Sequence, residues 1–371
     1  MKFTVEKSTL FKSLSHVQSI VEKKNTIPIL SNILIEAKEN CLLLSATDMD
    51  ISIKEKLNCN IIEEGSTTVS AQTLYDIIRK FPETTDIEII SNDGKIITLR
   101  AGKSKFSLGC LSKEDFPLIE IGNLQTEISI DSQSFLKLIN KTRFAISNEE
   151  TRYFLNGIYF QKKNENHKNI LSVVATDGHR LAKMDFEFTE NSKEIPGIII
   201  PKKTVNELCK ILADYEGSIK INLDSNKIVF FIKDSILISK LIDGNFPDYR
   251  RVIPSDYNNI LTINRQEFSQ AVDRVSTITS EKSPIIKFKL INNTMNMSSV
   301  NSDNGTATED IETSYSGDEI EIGFNSKYVL EMINNLEDDK ISLNFKDSTS
   351  PVIASEESNS NLIYVLMPMR V

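Results

Sequence analysis

The sequence is poor in the residues on which metal and disulfide sites depend. Its 371 residues include only three histidines and four cysteines. The histidines His16, His167 and His179 have none of the spacings typical of metal ligands, and the cysteines lie far apart without a Cys-x-x-Cys pair. The sequence also has no phosphate-binding loop and no dinucleotide fingerprint. We therefore expect no metal, nucleotide or other cofactor, and we expect buried free thiols in place of disulfides in a reduced, cytoplasmic protein.

Long apolar runs are missing as well. No stretch approaches the roughly 18 apolar residues of a membrane helix, and residues 1–6 begin directly with a strand pattern instead of an apolar signal core. No segment rich in proline, glycine or serine divides the chain as a linker. These observations predict a globular protein that stays in the cytoplasm and has no membrane partner.

The charge of the chain is acidic and uneven. The formal net charge is −9, and the acidity is concentrated in residues 253–371. A conventional DNA-binding domain that reads base sequence usually carries a basic surface, so this balance argues against that class. It does not exclude a basic surface that faces one way.

A short pattern occurs twice in the chain. Residues 173–182 (VVATDGHRLA) are echoed by residues 44–50 (LSATDMD). Each copy consists of an alternating apolar run, a turn that contains aspartate, and a second alternating run, which predicts strand, turn and strand. Asp177-Gly178 is the stronger turn signal because glycine accepts the positive φ of a tight turn.

A larger unit occurs three times. Each third of the chain begins with a strand pattern, and the apolar residue that heads the following helix lies five places after the last strand residue. These pairs are Val5 and Leu10, Ile130 and Phe135, and Ile263 and Phe268. Asp131 and Asn264 have the residue type and position of helix N-caps.

A second strand followed by a helix occurs in each third, beginning at Thr67, Ile198 and Ile320, and more short strands are expected after each helix. The period of about 125 to 130 residues is too long for a solenoid repeat. The sequence therefore predicts an α+β protein of three similar tandem domains, which we place at residues 1–123, 124–252 and 253–371.

Six motifs in this order resemble the bacterial DNA polymerase III beta subunits, the family of replicative sliding clamps. They are residues 1–5 (MKFTV), 152–157 (RYFLNG), 175–182 (ATDGHRLA), 246–252 (FPDYRRV), 323–325 (GFN) with Tyr328, and 364–370 (YVLMPMR). The resemblance spans the whole chain. It implies the DNA clamp fold, with two helices packed on sheets in each domain. It also implies a homodimeric ring of six domains that encircles duplex DNA and acts as a processivity factor in DNA replication without catalytic activity.

The helices carry cations that suit a surface facing DNA. A ring holds duplex DNA by topology, so it needs phosphate attraction but no base contacts. Ordinary solvated helix charges would give the same pattern, so the charges alone leave this assignment open. The candidates on the helices are Lys12, Lys137, Lys141, Lys202, Lys203, Lys210, Arg274 and Lys327, and the resemblance adds Lys24, Tyr153 and Phe154.

The resemblance also implies a pocket that binds peptides of partner proteins. Pro368 cannot donate to a sheet ladder, so the C-terminal tail should leave its strand there. Met367 and Met369 are flexible side chains that suit an adaptable apolar groove, although plain core filling is the commoner role of methionine. Arg180, Arg251 and Arg370 are expected to form a polar rim. The matching residues are Leu155, Thr176, Gly178, His179, Arg180, Leu181, Pro247, Arg251, Val252, Tyr328, Val365, Met367, Pro368, Met369 and Arg370.

A dimer interface is expected where the strand at residues 103–108 meets the third domain of a second copy. Phe106 and Leu108 should supply apolar contacts to Ile278, which lies beside Thr277. Lys103 and Lys105 should supply charge, with Glu309 as the acidic partner.

The partners implied are double-stranded DNA, the replicative DNA polymerase and the clamp loader, together with repair and translesion polymerases, ligase and mismatch-repair proteins. Two alternatives remain at this point. One is a non-catalytic protein scaffold that does not encircle DNA. The other is an enzyme that uses Thr176, Asp177 and His179 as nucleophile, orienting group and base, although residues this close on one hairpin rarely point at a common atom.

Overall fold

The computed structural model describes residues 1–22, 26–122, 124–165, 168–188, 194–280, 284–301 and 305–370. The chain forms two compact units. Unit 1 consists of Met1–Leu136 and Lys203–Leu241, and unit 2 consists of Lys137–Lys202 and Ile242–Val371. This division follows packing and does not test where the sequence repeats begin and end, so the three domain boundaries stay a prediction.

Residues 1–122 contain two helices, α1 (Lys7–Ile20) and α2 (Ala71–Arg79). Short 3-10 turns cover Pro28–Ser31 and Lys113–Asp115. The strands are β1 (Lys2–Glu6), β2 (Asn32–Lys38), β3 (Cys41–Thr47), β4 (Ile51–Asn58), β5 (Asn60–Glu63), β6 (Gly65–Ser70), β7 (Asp86–Ile90), β8 (Ile96–Ala101) and β9 (Ser104–Leu111).

Residues 124–252 contain α3 (Ser132–Thr142) and α4 (Lys202–Leu212). Three 3-10 turns cover Arg143–Ala145, Glu150–Leu155 and Tyr249–Val252. The strands are β10 (Thr126–Asp131), β11 (Gly157–Glu165), β12 (Lys168–Thr176), β13 (Arg180–Phe188), β14 (Ile195–Pro201), β15 (Ser218–Leu223), β16 (Lys227–Ile232) and β17 (Ser235–Lys240).

Residues 253–370 contain α5 (Arg265–Ser276) and α6 (Ser326–Asn334). The strands are β18 (Asn259–Asn264), β19 (Ile285–Ile291), β20 (Thr294–Asn301), β21 (Gly305–Glu312), β22 (Ser314–Tyr315), β23 (Ile320–Asn325), β24 (Lys340–Phe345), β25 (Val352–Glu356) and β26 (Leu362–Leu366). The predicted strand followed by a helix is confirmed at all six positions, which are β1–α1, β6–α2, β10–α3, β14–α4, β18–α5 and β23–α6.

The strands form antiparallel sheets. Unit 1 contains a 13-stranded sheet in the order β10-β15-β16-β17-β4-β3-β2-β6-β9-β8-β7-β1-β5. Unit 2 contains a nine-stranded sheet in the order β14-β11-β12-β13-β26-β25-β24-β18-β22, and a four-stranded sheet in the order β21-β20-β19-β23. The nine-stranded sheet places β13 directly beside β26, which brings the C-terminal strand next to the repeated turn motif.

The helices pack one apolar face against the sheets. In α1, Leu10, Leu14 and Val17 recur at the spacing of one helical face and are fully buried. Each such side chain contributes roughly 1.5 to 3 kcal/mol by leaving water. The predicted N-caps are present, because Asn264 Oδ1 accepts from the Glu267 amide at 3.0 Å and Asp131 Oδ2 accepts from the Ser134 amide at 2.8 Å.

The two copies of the turn motif have the same hydrogen bonds. Thr176 Oγ1 donates to the Arg180 carbonyl at 2.6 Å, as Thr47 Oγ1 donates to the Ile51 carbonyl at 2.9 Å. Gly178 has φ +87°, and Met49 takes the matching φ of +80°. The turn is therefore set by the threonine and aspartate side chains, while glycine only removes the cost of the positive φ.

The described residues agree with the predicted absence of disulfides. All four cysteines are free, but the prediction that they are buried is wrong, because each is half-buried. Within the described ranges, no helix is long and apolar enough to cross a membrane. In the same ranges, no group of three or more histidine, cysteine, aspartate or glutamate side chains is placed to hold a metal ion.

Candidate functional site

A cavity of about 280 Å³ opens beside the β12–β13 turn in unit 2. Its lining includes many of the residues predicted for the peptide pocket: Leu155, Thr176, Gly178, Arg180, Leu181, Pro247, Val252 and Met367. It also includes residues that were not predicted for this site: Arg152, Phe154, Asp248 and Tyr249. Most of its surface is apolar, as expected of a groove that accepts apolar side chains.

Two of the lining residues, Leu181 and Tyr249, belong to a buried apolar cluster with Val174 and Val365. These residues come from β12, β13, the 3-10 turn at Tyr249–Val252 and β26. Val365 packs in this cluster behind the lining, so its predicted role in the pocket is indirect. Three of the four residues lie on paired strands, which favours a cluster that keeps its shape without a ligand.

The turn that borders the cavity has no enzyme-like geometry. Thr176 Oγ1 is bonded to the Arg180 carbonyl. Asp177 Oδ1 accepts from the His179 and Arg180 amides, and Asp177 Oδ2 accepts from Arg180 Nε at 3.0 Å. In the described part of the chain, no hydrogen bond joins the Thr176 hydroxyl or the Asp177 carboxylate to the His179 ring, which a nucleophile and base would need.

Arg180 was predicted as a rim residue, and that role is wrong. Its side chain is only 8% exposed and binds through all three guanidinium nitrogens. Nε binds Asp177, Nη1 binds Glu331 of α6, and Nη2 donates to the Phe144 carbonyl at 2.7 Å. The guanidinium also lies 4.3 Å from the Tyr328 ring centroid. Arg180 thus links the turn to α6 through its bonds to Asp177 and Glu331. These partners are needed because a buried charge without a partner would destabilise the fold.

The tail leaves its strand at the predicted place. Strand β26 ends at Leu366, and the Met367 amide donates to the His179 carbonyl at 2.9 Å. Pro368 interrupts the ladder, and the Met369 amide then donates to the Gly323 carbonyl of β23 at 2.8 Å. The tail therefore runs from the turn to the four-stranded sheet, with Met367 in the cavity lining.

The remaining predicted pocket residues lie around the turn and the tail. The rings of His179 and Tyr328 stack with centroids 6.3 Å apart, and burial raises the pKa of the Tyr328 hydroxyl. Arg251 is 85% exposed and pairs with Asp248 at 3.1 Å. Arg370 is exposed. Arg251 and Arg370 therefore have the exposure expected of rim residues, and their role at the rim stays a prediction.

The predicted DNA-facing residues at 153 and 154 divide between two environments. Tyr153 is 54% exposed, whereas Phe154 lines the cavity. Their rings meet edge to face with centroids 5.8 Å apart. Lys24 lies outside the described residues.

Most of the predicted DNA-facing cations form ion pairs. Lys12 lies 3.7 Å from Asp214, Lys210 lies 2.8 Å from Glu207, and Lys203 pairs with Asp48 and Glu22. Lys137 and Lys141 both pair with Glu337, at 3.4 and 2.9 Å. Arg274 pairs through two nitrogens with Glu309, Lys202 donates to Asn148 at 2.5 Å, and Lys327 is exposed.

Lys141 was predicted to lie on the exposed, polar face of its helix, and this prediction is wrong. The residue is buried, and its ammonium group donates to the Asn335 carbonyl at 2.6 Å as well as to Glu337. This ammonium group lowers the pKa of the Glu337 carboxyl. Lys141 therefore contributes to the packing of α3 instead of presenting a free charge to solvent.

The strand predicted for dimer contact has a free edge. Residues 104–109 of β9 pair with β8, but only Cys110 and Leu111 pair with β6. Among the described residues, the other side of residues 104–108 has no strand neighbour. Phe106 is 37% exposed there, Lys103 and Lys105 are exposed, and Leu108 is half-buried.

The predicted counterpart residues lie in unit 2. Strand β21 pairs only with β20 among the described strands, so it is an edge strand, and it carries Glu309. Thr277 is exposed and Ile278 is half-buried after the end of α5. Because Glu309 already binds Arg274, its pairing with Lys103 or Lys105 of another copy would require an exchange of partners.

A larger cavity of about 430 Å³ lies in unit 1 between α1, the end of β4, the end of α4 and the β16–β17 turn. His16 Nδ1 and the Ser235 hydroxyl both bind Glu55 Oε1, at 3.0 and 2.7 Å. Its lining contains three lysines and three carboxylates, so neither charge dominates. Apart from Lys12, its lining contains none of the predicted site residues.

The cavity residues that were not predicted for this site are members of the sequence motifs. Asp248 and Tyr249 lie inside the 246–252 motif, and Arg152 begins the 152–157 motif. Their position in the cavity depends on the 3-10 turns at Glu150–Leu155 and Tyr249–Val252. Their membership in the motifs was the one signal in the sequence that these residues belong to the site. The alternation of a strand and the spacing of a helix do not predict where the side chains of a 3-10 turn point.

Comparison with known proteins covers the whole chain. Residues 1–120, 129–248 and 250–370 match the N-terminal, central and C-terminal domains of the DNA polymerase III beta subunit. A similar curated protein is the beta sliding clamp of Caulobacter vibrioides, which is 41% identical over 372 residues and is matched over 100% of both chains.

Solved structures are similar over the same length. The sliding clamp of Bartonella birtlesii bound to griselimycin is 40% identical, with a TM-score of 0.96 and 100% coverage of both chains. The sliding clamp of Pseudomonas aeruginosa bound to griselimycin is 32% identical, with a TM-score of 0.94 and 100% coverage of both chains.

Proposed function

Because the chain belongs to the family of DNA polymerase III beta subunits, the beta sliding clamps, we propose that it encircles duplex DNA as a homodimeric ring and tethers the replicative polymerase. In this proposal the cavity beside the β12–β13 turn receives a peptide segment of the polymerase. The chain thereby acts as a processivity factor, keeping the polymerase on the same template.

Family membership decides several of the predictions made from sequence. The fold is three tandem clamp domains built from helices and sheets, as predicted. The family is a non-catalytic accessory subunit of DNA polymerase III, so the prediction that the chain is not an enzyme is also confirmed. The enzyme alternative built on Thr176, Asp177 and His179 is therefore abandoned.

The observation that carries the tethering proposal is the pre-formed apolar groove. Leu181 and Tyr249 in its lining belong to a buried apolar cluster, and the rest of the lining comes from the β12–β13 turn, two 3-10 turns and the tail. A peptide that inserts apolar side chains there gains affinity without ordering the groove first. Griselimycin is bound by the clamps of Bartonella birtlesii and Pseudomonas aeruginosa, and we propose that it binds this groove as well.

The dimer proposal is supported by two strand edges. An exposed edge with an aromatic side chain is a template for pairing with another chain. The segment of β9 that contains Phe106 is one such edge, and β21 is the other. The two edges lie in different units. In a dimer with a two-fold axis, β9 of each copy would pair with β21 of the other copy, which gives two equivalent interfaces.

The DNA proposal requires only weak phosphate contacts. Topological binding allows sliding because no base is recognised and few phosphates are held tightly. The ion pairs of Lys12, Lys203 and Lys210 support this view, since cations that already have partners attract phosphate weakly. Tyr153 and Lys327 remain exposed candidates for contact with the duplex.

We propose that the same groove serves further partners in the cytoplasm. The clamp loader, repair and translesion polymerases, ligase and mismatch-repair proteins would then compete with the replicative polymerase for one site on each protomer. The methionine in the groove supports this, because its flexible side chain repacks around different ligands.

Primer extension on a long, primed, circular template tests the function. Adding the chain together with its clamp loader should lengthen the products of the cognate polymerase, since a tethered polymerase dissociates rarely. Griselimycin should shorten the products again without slowing the extension that the polymerase achieves alone. Product lengths that do not change when the chain is added would contradict the proposal.

A further inference from the structure

Arg152 forms one wall of the groove. It lines the cavity beside the β12–β13 turn, yet it belongs to the loop that precedes β11. Its Nη1 atom lies so close to Gly178 that a Cβ atom added there would be 2.5 Å from it. This contact is possible only because residue 178 has no side chain, so the guanidinium group rests directly on the turn.

Glu149 holds this guanidinium group from the other side. Nε and Nη2 of Arg152 donate to Oε2 and Oε1 of Glu149 at 2.8 and 2.7 Å, which is a two-point, side-on pair. The hydrogen bonds from Arg152 are the main cause of the lowered pKa of the Glu149 carboxyl. The pair uses two of the three guanidinium nitrogens. In the described part of the chain, no acceptor binds Nη1.

The loop itself fixes where the pair lies. The Glu149 amide donates to the Ser147 hydroxyl at 3.1 Å, and the Ser147 amide donates to the Leu155 carbonyl at 3.1 Å. Arg152 breaks the 3-10 turn with φ −112° and ψ 51°. This kink points its side chain back at Glu149, and without that anchor the long side chain would sample many rotamers.

We propose that Glu149 is a positioning residue of the peptide groove, and that it holds Arg152 so that Nη1 donates a hydrogen bond to an oxygen atom of the bound peptide. The proposal rests on the proposed tethering function and adds a role for Glu149 that its exposed position does not suggest. The acceptor is a carbonyl, amide or carboxylate oxygen that reaches the Gly178 end of the groove.

The test compares two neighbouring glutamates. Glu149→Gln removes the charge that anchors Arg152, and Glu149→Ala removes the anchor altogether. Glu150→Gln is the matched control, because Glu150 is exposed and is bound to no cation in the described residues. All three proteins are titrated with griselimycin and with a C-terminal peptide of the replicative polymerase, and their thermal unfolding is recorded.

Both Glu149 variants should bind the polymerase peptide about three- to tenfold more weakly, as expected when a charged donor is less well ordered, while Glu150→Gln changes affinity by less than about twofold. Unfolding temperatures should stay unchanged. In an Arg152→Ala background, Glu149→Ala should have no further effect, because its action passes through Arg152.

Two results would overturn this inference while leaving the tethering function intact. One is native peptide affinity in both Glu149 variants. The other is a loss of peptide affinity on Glu149→Ala that is equally large in the native protein and in the Arg152→Ala background. If the native protein binds neither griselimycin nor the polymerase peptide, the tethering function itself is refuted and this inference falls with it.

Discussion

The two methionines of the tail should differ sharply in their importance for peptide binding. Met367 lines the groove, whereas Met369 is 36% exposed and is not part of the lining formed by the described residues. Both hold their place through backbone bonds, to His179 and Gly323, which an alanine would keep. Met367→Ala and Met369→Ala therefore form a matched pair that changes one side chain at a time.

The expected magnitudes follow from these positions. Truncating a side chain that anchors a partner in a closed pocket costs about 1 to 3 kcal/mol, which weakens binding roughly 5- to 150-fold. Truncating a surface side chain outside the pocket changes the free energy by less than about 0.5 kcal/mol, which is roughly twofold. Both variants should remain folded, since neither methionine is fully buried.

Fluorescence anisotropy with a labelled C-terminal peptide of the replicative polymerase measures the difference, and thermal unfolding is the control for folding. Equal affinities of the two variants would refute the reasoning, and so would a larger loss for Met369→Ala. Equal native affinities would mean that Met367 does not anchor the peptide, whereas an equal or larger loss for Met369→Ala would mean that the groove extends along the tail beyond Pro368.

Three further predictions concern the dimer, the core and pH. Phe106→Asp places a carboxylate on the free edge of β9, so sedimentation at dilute concentration should reveal monomers where the native protein is dimeric; an unchanged profile would rule out this edge as the interface. Tyr364→Phe removes the buried hydroxyl that donates to the Lys141 carbonyl at 2.9 Å, so urea unfolding should show a loss of about 0.5 to 1.5 kcal/mol, and no loss would mean that the bond contributes nothing. Hydrogen bonds from Ser350 and Thr349 lower the pKa of Asp347 from 3.8 to about 2 in the folded protein. The stability that Asp347 contributes is therefore fully present above its pKa in the unfolded chain, and it is lost as the pH falls toward its pKa in the folded protein. The stability difference between native protein and Asp347→Ala should therefore shrink over that range, and a constant difference would contradict the assignment.

Local patterns predicted much of the fold. The distance from Val5 to Leu10 located β1 and α1, because a strand ends and a helical face begins within those residues. The aspartate in the turn at residues 176–180 predicted the hairpin, since its side chain caps the turn without distant partners. Pro368 predicted the end of β26 because it has no amide hydrogen to donate.

The environments of charged residues could not be predicted in this way. Arg180 looks like a surface arginine until Glu331 and the Phe144 carbonyl are brought to it from distant parts of the chain. Arg274 and Glu309 were given to different sites, yet they bind each other. A charge can be buried or neutralised by any suitable partner that the fold supplies, and sequence spacing does not record that partner.

Retention on circular and linear DNA tests the central claim most directly. The protein is loaded onto closed circular duplex and washed with salt high enough to strip proteins that are held only by phosphate contacts. Half of the sample is then cut once with a restriction enzyme. Encirclement predicts that the dimer stays on the circles and is lost from the cut DNA by sliding off its ends. Equal loss from both forms would contradict the claim that the chain forms a closed ring around DNA.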